Sequence, residues 1–148
     1  MAKSASKQPY FEDVKVGDEV PRMVKGPITL QDLVEWCSAE EDYNPIHYDE
    51  AYAKKSGLPG TVIQGWFKYG LMGVMLTDWL GEAGTLKKLG ISYRGLDYPG
   101  DTLTFRGKVT GKSAKGQEKV VELEVWVENQ RGEKTTPGTA TVTLPART

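Results

Sequence analysis

The sequence predicts an α+β fold in which one long buried helix packs against antiparallel strands. Two observations support this prediction. From Trp66 to Leu80, apolar residues occupy almost every helical face, which is typical of a buried helix. From residue 103 onward, apolar residues alternate with polar ones and turn residues separate the runs, which is typical of half-buried strands. Helices that precede a run of strands favour a sheet with its helices on one face.

The chain before the long helix contains two shorter helices that begin at recognisable caps. Turn and breaker residues interrupt residues 10–27, which predicts only a weak strand or loop there. Thr29, with an acidic residue three positions later, forms a near capping box and predicts a helix over residues 30–39. Asp49 can cap a second short helix over residues 50–55.

The chain after the long helix is predicted to be mostly extended. The predicted segments are an extended stretch over 86–96, strands over 103–109, 121–128 and 139–144, and a polar hairpin over 111–116. The strand over 121–128 has the clearest alternation of apolar and polar residues, so it is expected to lie with one face on the core.

The composition indicates one globular domain, assigned to residues 10–148, and it excludes several classes of function. The chain has 148 residues, the size of one ordinary domain. Its 19 basic and 20 acidic residues give a net charge of −1, which argues against nucleic-acid binding through phosphate neutralisation. A single cysteine, Cys37, excludes an intrachain disulfide and a two-cysteine zinc site. A single histidine, His47, excludes a metal site that needs two imidazoles from one chain.

Neither a secretion signal nor a membrane span is apparent in the sequence. Residues 1–9 have no apolar core and are predicted to form a short flexible tail. The longest apolar stretch, residues 66–80, contains Lys68 and Asp78 and is shorter than the ~20 residues that a membrane-spanning helix needs. We therefore expect a soluble, cytoplasmic protein that does not bind membranes.

One short stretch, Asp42-Tyr43-Asn44-Pro45-Ile46-His47, brings a carboxylate, an amide and an imidazole together on irregular backbone. An ionised aspartate accepts a proton at neutral pH and histidine gives or takes one, so the two can hold and activate one water molecule. A structural interpretation is also open, and the residue types alone favour it. In that interpretation Asn44-Pro45 starts a turn, Asp42 caps backbone groups and His47 has no chemical role.

A second candidate feature is Gly65, which opens the long helix. The first N–H groups of a helix lack partners and carry partial positive charge, so they can bind an oxyanion, and a glycine lets a ligand come close. The alternative is that Gly65 merely fits a tight turn.

The pattern Asp42-x-Asn44-Pro45-Ile46-His47, followed by Gln64-Gly65 at the start of an apolar helix, resembles the MaoC-like dehydratases. That family includes the (R)-specific, or type 2, enoyl-CoA hydratases. The likeness extends over about residues 10–145. It implies a single hot-dog fold, in which a curved antiparallel sheet wraps the central helix, and assembly into a homodimer or a higher homo-oligomer. It also implies addition of water to a trans-2-enoyl-CoA to give a 3-hydroxyacyl-CoA, and the reverse, without a cofactor or a metal.

The same resemblance assigns roles to individual residues. Asp42 and His47 match the catalytic pair of the family, and we expect Asp42 to be the principal base and His47 its partner and proton donor. Gly65 matches the glycine whose N–H holds the thioester carbonyl. Asn44 is expected to orient the catalytic loop.

Two substrate-binding positions next to this glycine differ from the family pattern. Gln64 stands where many members have histidine, and Trp66 stands where they have methionine. Because tryptophan is far bulkier than methionine, we expect Trp66 to reshape the acyl pocket.

Two other functions are alternatives to the hydratase. The first is a hot-dog acyl-CoA thioesterase, which would use a carboxylate to direct water at the carbonyl carbon; the pairing of Asp42 with His47 argues against it. The second is a noncatalytic acyl-CoA-binding subunit of a larger assembly; the complete set of Asp42, Asn44, His47 and Gly65 argues against that.

Overall fold

Five antiparallel strands form one sheet in the computed structural model of the chain, which describes residues 7–147. The strands are β1 (Glu19–Lys25), β2 (Thr85–Ile91), β3 (Leu103–Lys115), β4 (Glu118–Asn129) and β5 (Lys134–Thr143). The helices are α1 (Leu30–Glu40), α2 (Glu50–Lys55) and α3 (Gly65–Leu80), with single turns of 3₁₀ helix at Phe11–Asp13 and Pro45–His47. The strand order β1-β3-β4-β5-β2 places β1 and β2 at the two edges of the sheet.

The sheet bends because every strand pair contains a register shift. The shifts fall between Val20 and Met23, Leu86 and Lys88, Val109 and Gly111, and Val127 and Glu128. An extra residue in one strand of a pair bends that strand and increases its twist. The resulting curved sheet packs against α3.

Helix α3 supplies the centre of the core. Its side chains Phe67, Met72 and Leu76 are buried with Phe105 and Leu123 of the sheet. Full burial of each large apolar side chain contributes roughly 1.5–3 kcal/mol, which explains how a helix with two internal glycines remains stable. The prediction of a long buried helix is confirmed on this side of α3.

One part of α3 departs from that prediction. Trp66 is 56% exposed and Val74 is 41% exposed, although both lie within the apolar run. The sheet covers one side of the helix, and Trp36 of α1 covers another by packing against Gly70. Nothing within residues 7–147 covers the rest.

The two shorter helices form as their caps predict. The Thr29 hydroxyl accepts a hydrogen bond from Asp32 N–H (3.1 Å), and Asp32 Oδ2 accepts one from Thr29 N–H (2.8 Å). This complete capping box starts α1, which ends one residue later than predicted. Asp49 Oδ1 accepts a hydrogen bond from Tyr52 N–H (2.9 Å) and starts α2 at the predicted residue.

The strands differ from the prediction at three places. The polar hairpin predicted over 111–116 is present, but its turn is confined to residues 116–117, because β3 continues to Lys115 and its residues 111–115 pair with 118–122 of β4. The side chains of Ser113 and Lys115 are exposed, which is compatible with a strand because cross-strand hydrogen bonds use only the backbone. The last strand begins at Lys134 rather than at residue 139, because residues 134–138 pair with β4.

The extended stretch predicted over 86–96 ends as a strand at Ile91. Backbone N–H groups of Ser92 and Arg94 still donate to carbonyls of β5, at 2.8 and 2.9 Å. The chain then leaves regular geometry, and Asp97 becomes 99% buried, with an exposed fraction of 1%. Its carboxylate is paired there with Lys68 of α3 (2.9 Å).

The tail predicted over residues 1–9 lies outside the described residues at positions 1–6. Of the remainder, Gln8 is hydrogen-bonded: its Nε2 donates to the Leu80 carbonyl (2.8 Å) and its Oε1 accepts from Ala83 N–H (3.0 Å). Gln8 thereby caps the end of α3. No helix within residues 7–147 is long and apolar enough to cross a membrane.

Candidate active site

The loop between α1 and α2 carries the three polar residues singled out in the sequence. Asn44 Oδ1 accepts a hydrogen bond from Ile46 N–H (3.3 Å) and begins the 3₁₀ turn over Pro45–His47. Asn44 N–H donates to Asp42 Oδ1 (3.2 Å). The asparagine therefore shapes the turn and fixes Oδ1 of Asp42, and the other oxygen, Oδ2, lies toward His47.

His47 is buried, and a backbone carbonyl orients its ring. Nδ1 lies 2.7 Å from the carbonyl oxygen of Val62. Since a carbonyl only accepts hydrogen bonds, Nδ1 must carry a proton, and this leaves Nε2 as the reactive nitrogen. Nε2 lies 3.7 Å from Asp42 Oδ2, a separation at which one water molecule can contact both atoms.

The segment that leads into α3 is tied to this loop on two sides. Val62 accepts from the His47 ring and its N–H donates to the Ile46 carbonyl (3.1 Å). Because Gly65 follows three residues later, these bonds bring the Asp42–His47 pair to the region of the N-terminus of α3. The structure thus brings the two candidate features of the sequence together.

Gly65 is the first residue of α3, and the structure shows why it has no side chain. A Cβ atom at this position would lie 2.5 Å from Cζ and 2.8 Å from Cε1 of Tyr93. The ring of Tyr93 therefore packs directly on the glycine. The N–H groups of this first turn have no partner within the helix, as at any helix N-terminus.

Gln64 precedes this glycine and is 99% buried, with an exposed fraction of 1%. Its Nε2 donates to the Leu33 carbonyl (2.9 Å) and to Cys37 Sγ (3.2 Å), which joins α1 to the start of α3. Its Oε1 has no hydrogen-bond partner among the described residues. A buried acceptor without a partner is costly, so this oxygen is a place where a donor from a ligand or water would bind.

The pKa of the Cys37 thiol is raised by its surroundings in the site. Burial raises its pKa, the carboxylates of Asp42 and Glu40 raise it further, and the hydrogen bond from Gln64 acts in the opposite direction. A thiol with a raised pKa stays protonated at neutral pH and is a poor nucleophile. Cys37 is thus a buried neighbour of Asp42.

Trp66 lies at the surface rather than inside the chain. Its indole is 56% exposed and meets the edge of the Tyr69 ring at a centroid distance of 5.2 Å. Within a single chain Trp66 is therefore not part of a closed acyl pocket. It is placed where a substrate or a second subunit can contact it.

Sequence reasoning missed three residues that surround the start of α3. Lys68 and Asp97 form a buried ion pair of 2.9 Å, and Tyr93 packs on Gly65. A lysine inside an apolar helix was a usable signal for the ion pair, because a charged group in such a place needs a partner. Nothing in the local pattern distinguished Tyr93.

Asp97 accepts three hydrogen bonds from different parts of the chain. They come from Lys68 Nζ (2.9 Å), Thr135 Oγ1 (2.6 Å) and Asn129 Nδ2 (3.2 Å). Its backbone carbonyl also accepts from Ile63 N–H (2.8 Å). The carboxylate thereby fixes the segment before α3 to strands β4 and β5. Over the part of the chain that is described, no group of three His, Cys, Asp or Glu side chains could hold a metal ion.

A curved five-stranded sheet around one long helix, with an acidic and imidazole pair near the start of that helix, defines a hot-dog protein with a candidate acid–base site. A MaoC-like dehydratase from Rhodospirillum rubrum has the same fold, with a TM-score of 0.82 and 25% identity over 95% of this chain and 99% of that chain. The predicted hot-dog fold is confirmed.

The sequence profile of the MaoC-like domain matches residues 12–131, and the protein therefore belongs to the MaoC-like domain family. Among its curated relatives, 3-hydroxybutyryl-CoA dehydratase of Methylorubrum extorquens is 29% identical over 100 residues, or 68% of this chain and 55% of that protein. Fatty acid synthase subunit beta of Aspergillus oryzae is 34% identical over 92 residues, or 60% of this chain and 4% of that protein. The chain thus spans only part of the length of these relatives. The relatives in this family include hydratases and dehydratases.

Proposed function

We propose that this protein is a hydratase that interconverts a trans-2-enoyl-CoA and a 3-hydroxyacyl-CoA of the R configuration. The observation that carries the proposal is the arrangement of His47. Its bond to the Val62 carbonyl turns Nε2 to within 3.7 Å of Asp42 Oδ2, so that the two groups can share one water. Membership of a family with hydratase and dehydratase relatives supports the same type of reaction.

Hydration can be written with the protons balanced. Asp42 takes one proton from the water while the water oxygen forms a bond to C3. The π electrons of the C2=C3 bond move toward the thioester, whose oxygen becomes negative. Protonated His47 gives the Nε2 proton to C2, and Asp42 then passes its proton to His47, so that the pair ends as it began. Nδ1 keeps its hydrogen bond to Val62 throughout.

The negative thioester oxygen needs a hydrogen-bond donor, and Gly65 N–H is the proposed one. It belongs to the first turn of α3, where N–H groups lack helical partners and the helix dipole favours negative charge. Removal of one such donor typically lowers the rate by ~10²–10³-fold. The proposed reaction uses no cofactor or metal.

The proposed substrate is an acyl-CoA, and the proposed assembly is a homodimer or a higher homo-oligomer. Strands β1 and β2 are edges of the sheet, and an unpaired edge is a surface for pairing with a second copy. Exposed Trp66 lies next to Gly65 and would contact the acyl group or the second subunit.

The test follows the ultraviolet absorbance of the conjugated enoyl thioester in a panel of trans-2-enoyl-CoAs, with a thiol reagent present to detect free CoA. We expect the band to disappear without release of CoA and the product to be the R enantiomer. Asp42→Asn and His47→Ala should each lower kcat by about 10²–10⁴-fold, because each removes an acid–base group.

The matched control is Asp18→Asn, which changes an exposed aspartate whose Oδ2 only accepts from Lys15 N–H (2.8 Å). It should keep the native rate, and circular dichroism should show all three variants folded. Release of CoA would identify a thioesterase instead. Tight binding of acyl-CoA with no turnover by the native protein would identify a noncatalytic subunit, and either result contradicts the proposal.

A further inference from the structure

Tyr93 lies over the residue that the proposed mechanism places against the thioester. The atom of its ring nearest to the Cβ position of Gly65 is Cζ, at 2.5 Å, with Cε1 and Cε2 at 2.8 and 2.9 Å. Cζ is the carbon that bears the hydroxyl group. The phenolic end of the ring, rather than its root, therefore rests on the first residue of α3.

The backbone holds Tyr93 in this position. The residues on either side of it donate hydrogen bonds to β5: Ser92 N–H to the Pro137 carbonyl (2.8 Å) and Arg94 N–H to the Thr135 carbonyl (2.9 Å). Four residues later, Asp97 is locked to Lys68 of α3 (2.9 Å). The tyrosine is thus fixed relative to the start of α3 from both directions.

The hydroxyl group of Tyr93 is available to a ligand. It makes no hydrogen bond to any part of the chain from residue 7 to residue 147, and the side chain remains 51% exposed. Burial of the ring raises the pKa of the phenol, and the neighbouring Glu40 carboxylate and Tyr69 raise it further. The phenol consequently keeps its proton at neutral pH and can only act as a donor toward a carbonyl oxygen.

The two donors at this turn suit a carbonyl oxygen. Gly65 N–H belongs to the first turn of α3 and has no partner within the helix, and the Tyr93 hydroxyl has none among residues 7–147. Gln64 Oε1, which is buried without a partner, is itself an acceptor and needs a donor such as water rather than the thioester oxygen. A thioester offers an acceptor oxygen, which matches the donors Tyr93 O–H and Gly65 N–H.

We propose that Tyr93 is a catalytic residue whose hydroxyl donates a second hydrogen bond to the thioester oxygen, beside the N–H of Gly65. This inference rests on the proposed hydratase function. As negative charge develops on that oxygen, both bonds strengthen, and donors that are already in position stabilise the charge without reorganisation. The phenol transfers no proton, so the acid–base work stays with Asp42 and His47.

The first test compares native protein with Tyr93→Phe, on the enoyl-CoA that the native protein turns over fastest. The ring and its packing on Gly65 remain, and only the unpaired hydroxyl is lost. We expect kcat to fall by about 10²-fold, the usual effect of one lost oxyanion donor, with KM changed by less than about threefold. Tyr52→Phe, at an exposed tyrosine of α2, is the control and should keep the native kcat.

The second test is spectroscopic. Its readout is the position of an absorption band, which does not depend on how much of the protein is folded. Asp42→Asn, with its strongly lowered kcat, should consume the bound enoyl-CoA slowly enough for its absorption band to be recorded in the site. A polarised thioester carbonyl shifts this band to longer wavelength. We expect the shift in Asp42→Asn to be reduced in Asp42→Asn/Tyr93→Phe at saturating substrate.

The outcomes separate this inference from the function on which it rests. If the native protein hydrates no enoyl-CoA, the hydratase proposal fails, and the inference fails with it. If the native protein is active but Tyr93→Phe keeps the native kcat and the full band shift, the donor role is overturned and the hydratase proposal stands. A higher kcat in Tyr93→Ala than in native protein would also overturn it, since the ring would then be an obstruction.

Discussion

His47 shows how a single residue acquires a chemical role from its neighbours. The side chain is 92% buried, with an exposed fraction of 8%, and its Nδ1 is committed to the Val62 carbonyl. This bond decides which nitrogen faces Asp42, because the carbonyl cannot donate. Asn44 performs a similar task on the other side by holding one oxygen of Asp42. Two backbone-directed hydrogen bonds therefore prepare the pair.

Gly65→Ala provides a prediction at the same scale. Alanine in a helix is normally more stable than glycine by up to about 1 kcal/mol, but here the added methyl group meets the Tyr93 ring at 2.5 Å. We expect the substitution to lower the free energy of unfolding by about 1–3 kcal/mol, the usual cost of overpacking. Urea unfolding measures this.

The same change in a Tyr93→Ala background is the control for Gly65→Ala. With the ring removed, alanine at position 65 should cost less than about 0.5 kcal/mol relative to Tyr93→Ala alone, because the clash is gone. An equal penalty in both backgrounds would show that the backbone of Gly65, rather than Tyr93, requires the glycine.

At the scale of elements, the start of α3 is where the loop, the sheet and the segment after β2 converge. Lys68 of α3 and Asp97 form the ion pair that joins them, and their side chains are 3% and 0% exposed. A buried charge that loses its partner is strongly destabilising, whereas an apolar pair in the same place often is not. This pair is therefore expected to position the site more than to stabilise the fold.

Lys68→Met, alone and combined with Asp97→Leu, tests how much the ion pair stabilises the fold. Alone, it leaves Asp97 charged and buried, so we expect a loss of about 3–5 kcal/mol in the free energy of unfolding. Adding Asp97→Leu should recover more than half of that loss. Denaturant unfolding of both single variants and the double variant forms the cycle; a double variant as unstable as Lys68→Met would contradict the interpretation.

At the scale of the whole molecule, Asp101 connects distant parts of the chain. Its Oδ2 accepts from Tyr98 N–H (2.9 Å), and its Oδ1 accepts from Gln130 (2.7 Å) and Arg131 (2.8 Å) in the turn between β4 and β5. Its carbonyl accepts from Ile28 N–H (2.8 Å), next to the start of α1. Burial by itself would raise the pKa of Asp101, but these donors outweigh burial and hold it below its ordinary value of 3.8.

The lowered pKa of Asp101 predicts how stability depends on pH. A carboxyl group with a lowered pKa in the folded state stabilises the protein above its unfolded pKa, and this contribution is lost as pH falls through the folded value. We expect the free energy of unfolding to decline as the pH falls below 3.8, the ordinary pKa of an aspartate. Asp101→Asn should have a lower free energy of unfolding than native protein at pH 7, and this free energy should fall less than that of native protein on acidification.

Urea unfolding of native protein and Asp101→Asn at a series of pH values measures this effect. Other carboxylates with lowered pKa values also titrate, among them Asp32 and Glu128, so the difference between the two proteins is the informative quantity. If the free energies of unfolding of the two proteins differed by the same amount at every pH, the ionisation of Asp101 would contribute nothing to stability.

The sequence by itself determined the α+β class, the three helices and the grouping of Asp42, Asn44 and His47. These features depend on caps, helical spacing and alternation, which act over a few residues and can be read locally. The extension of β3 to Lys115 could not be read in this way, because backbone pairing with β4 decided it.

Only the tertiary structure decided which atoms meet at the site. His47 and Val62 are 15 positions apart, and Lys68 and Asp97 are 29 positions apart, so no local pattern links either pair. The packing of Tyr93 on Gly65 depends likewise on how the segment after β2 folds back over α3. Local spacing specifies elements, whereas contacts between distant residues arise only when those elements bury their apolar faces together.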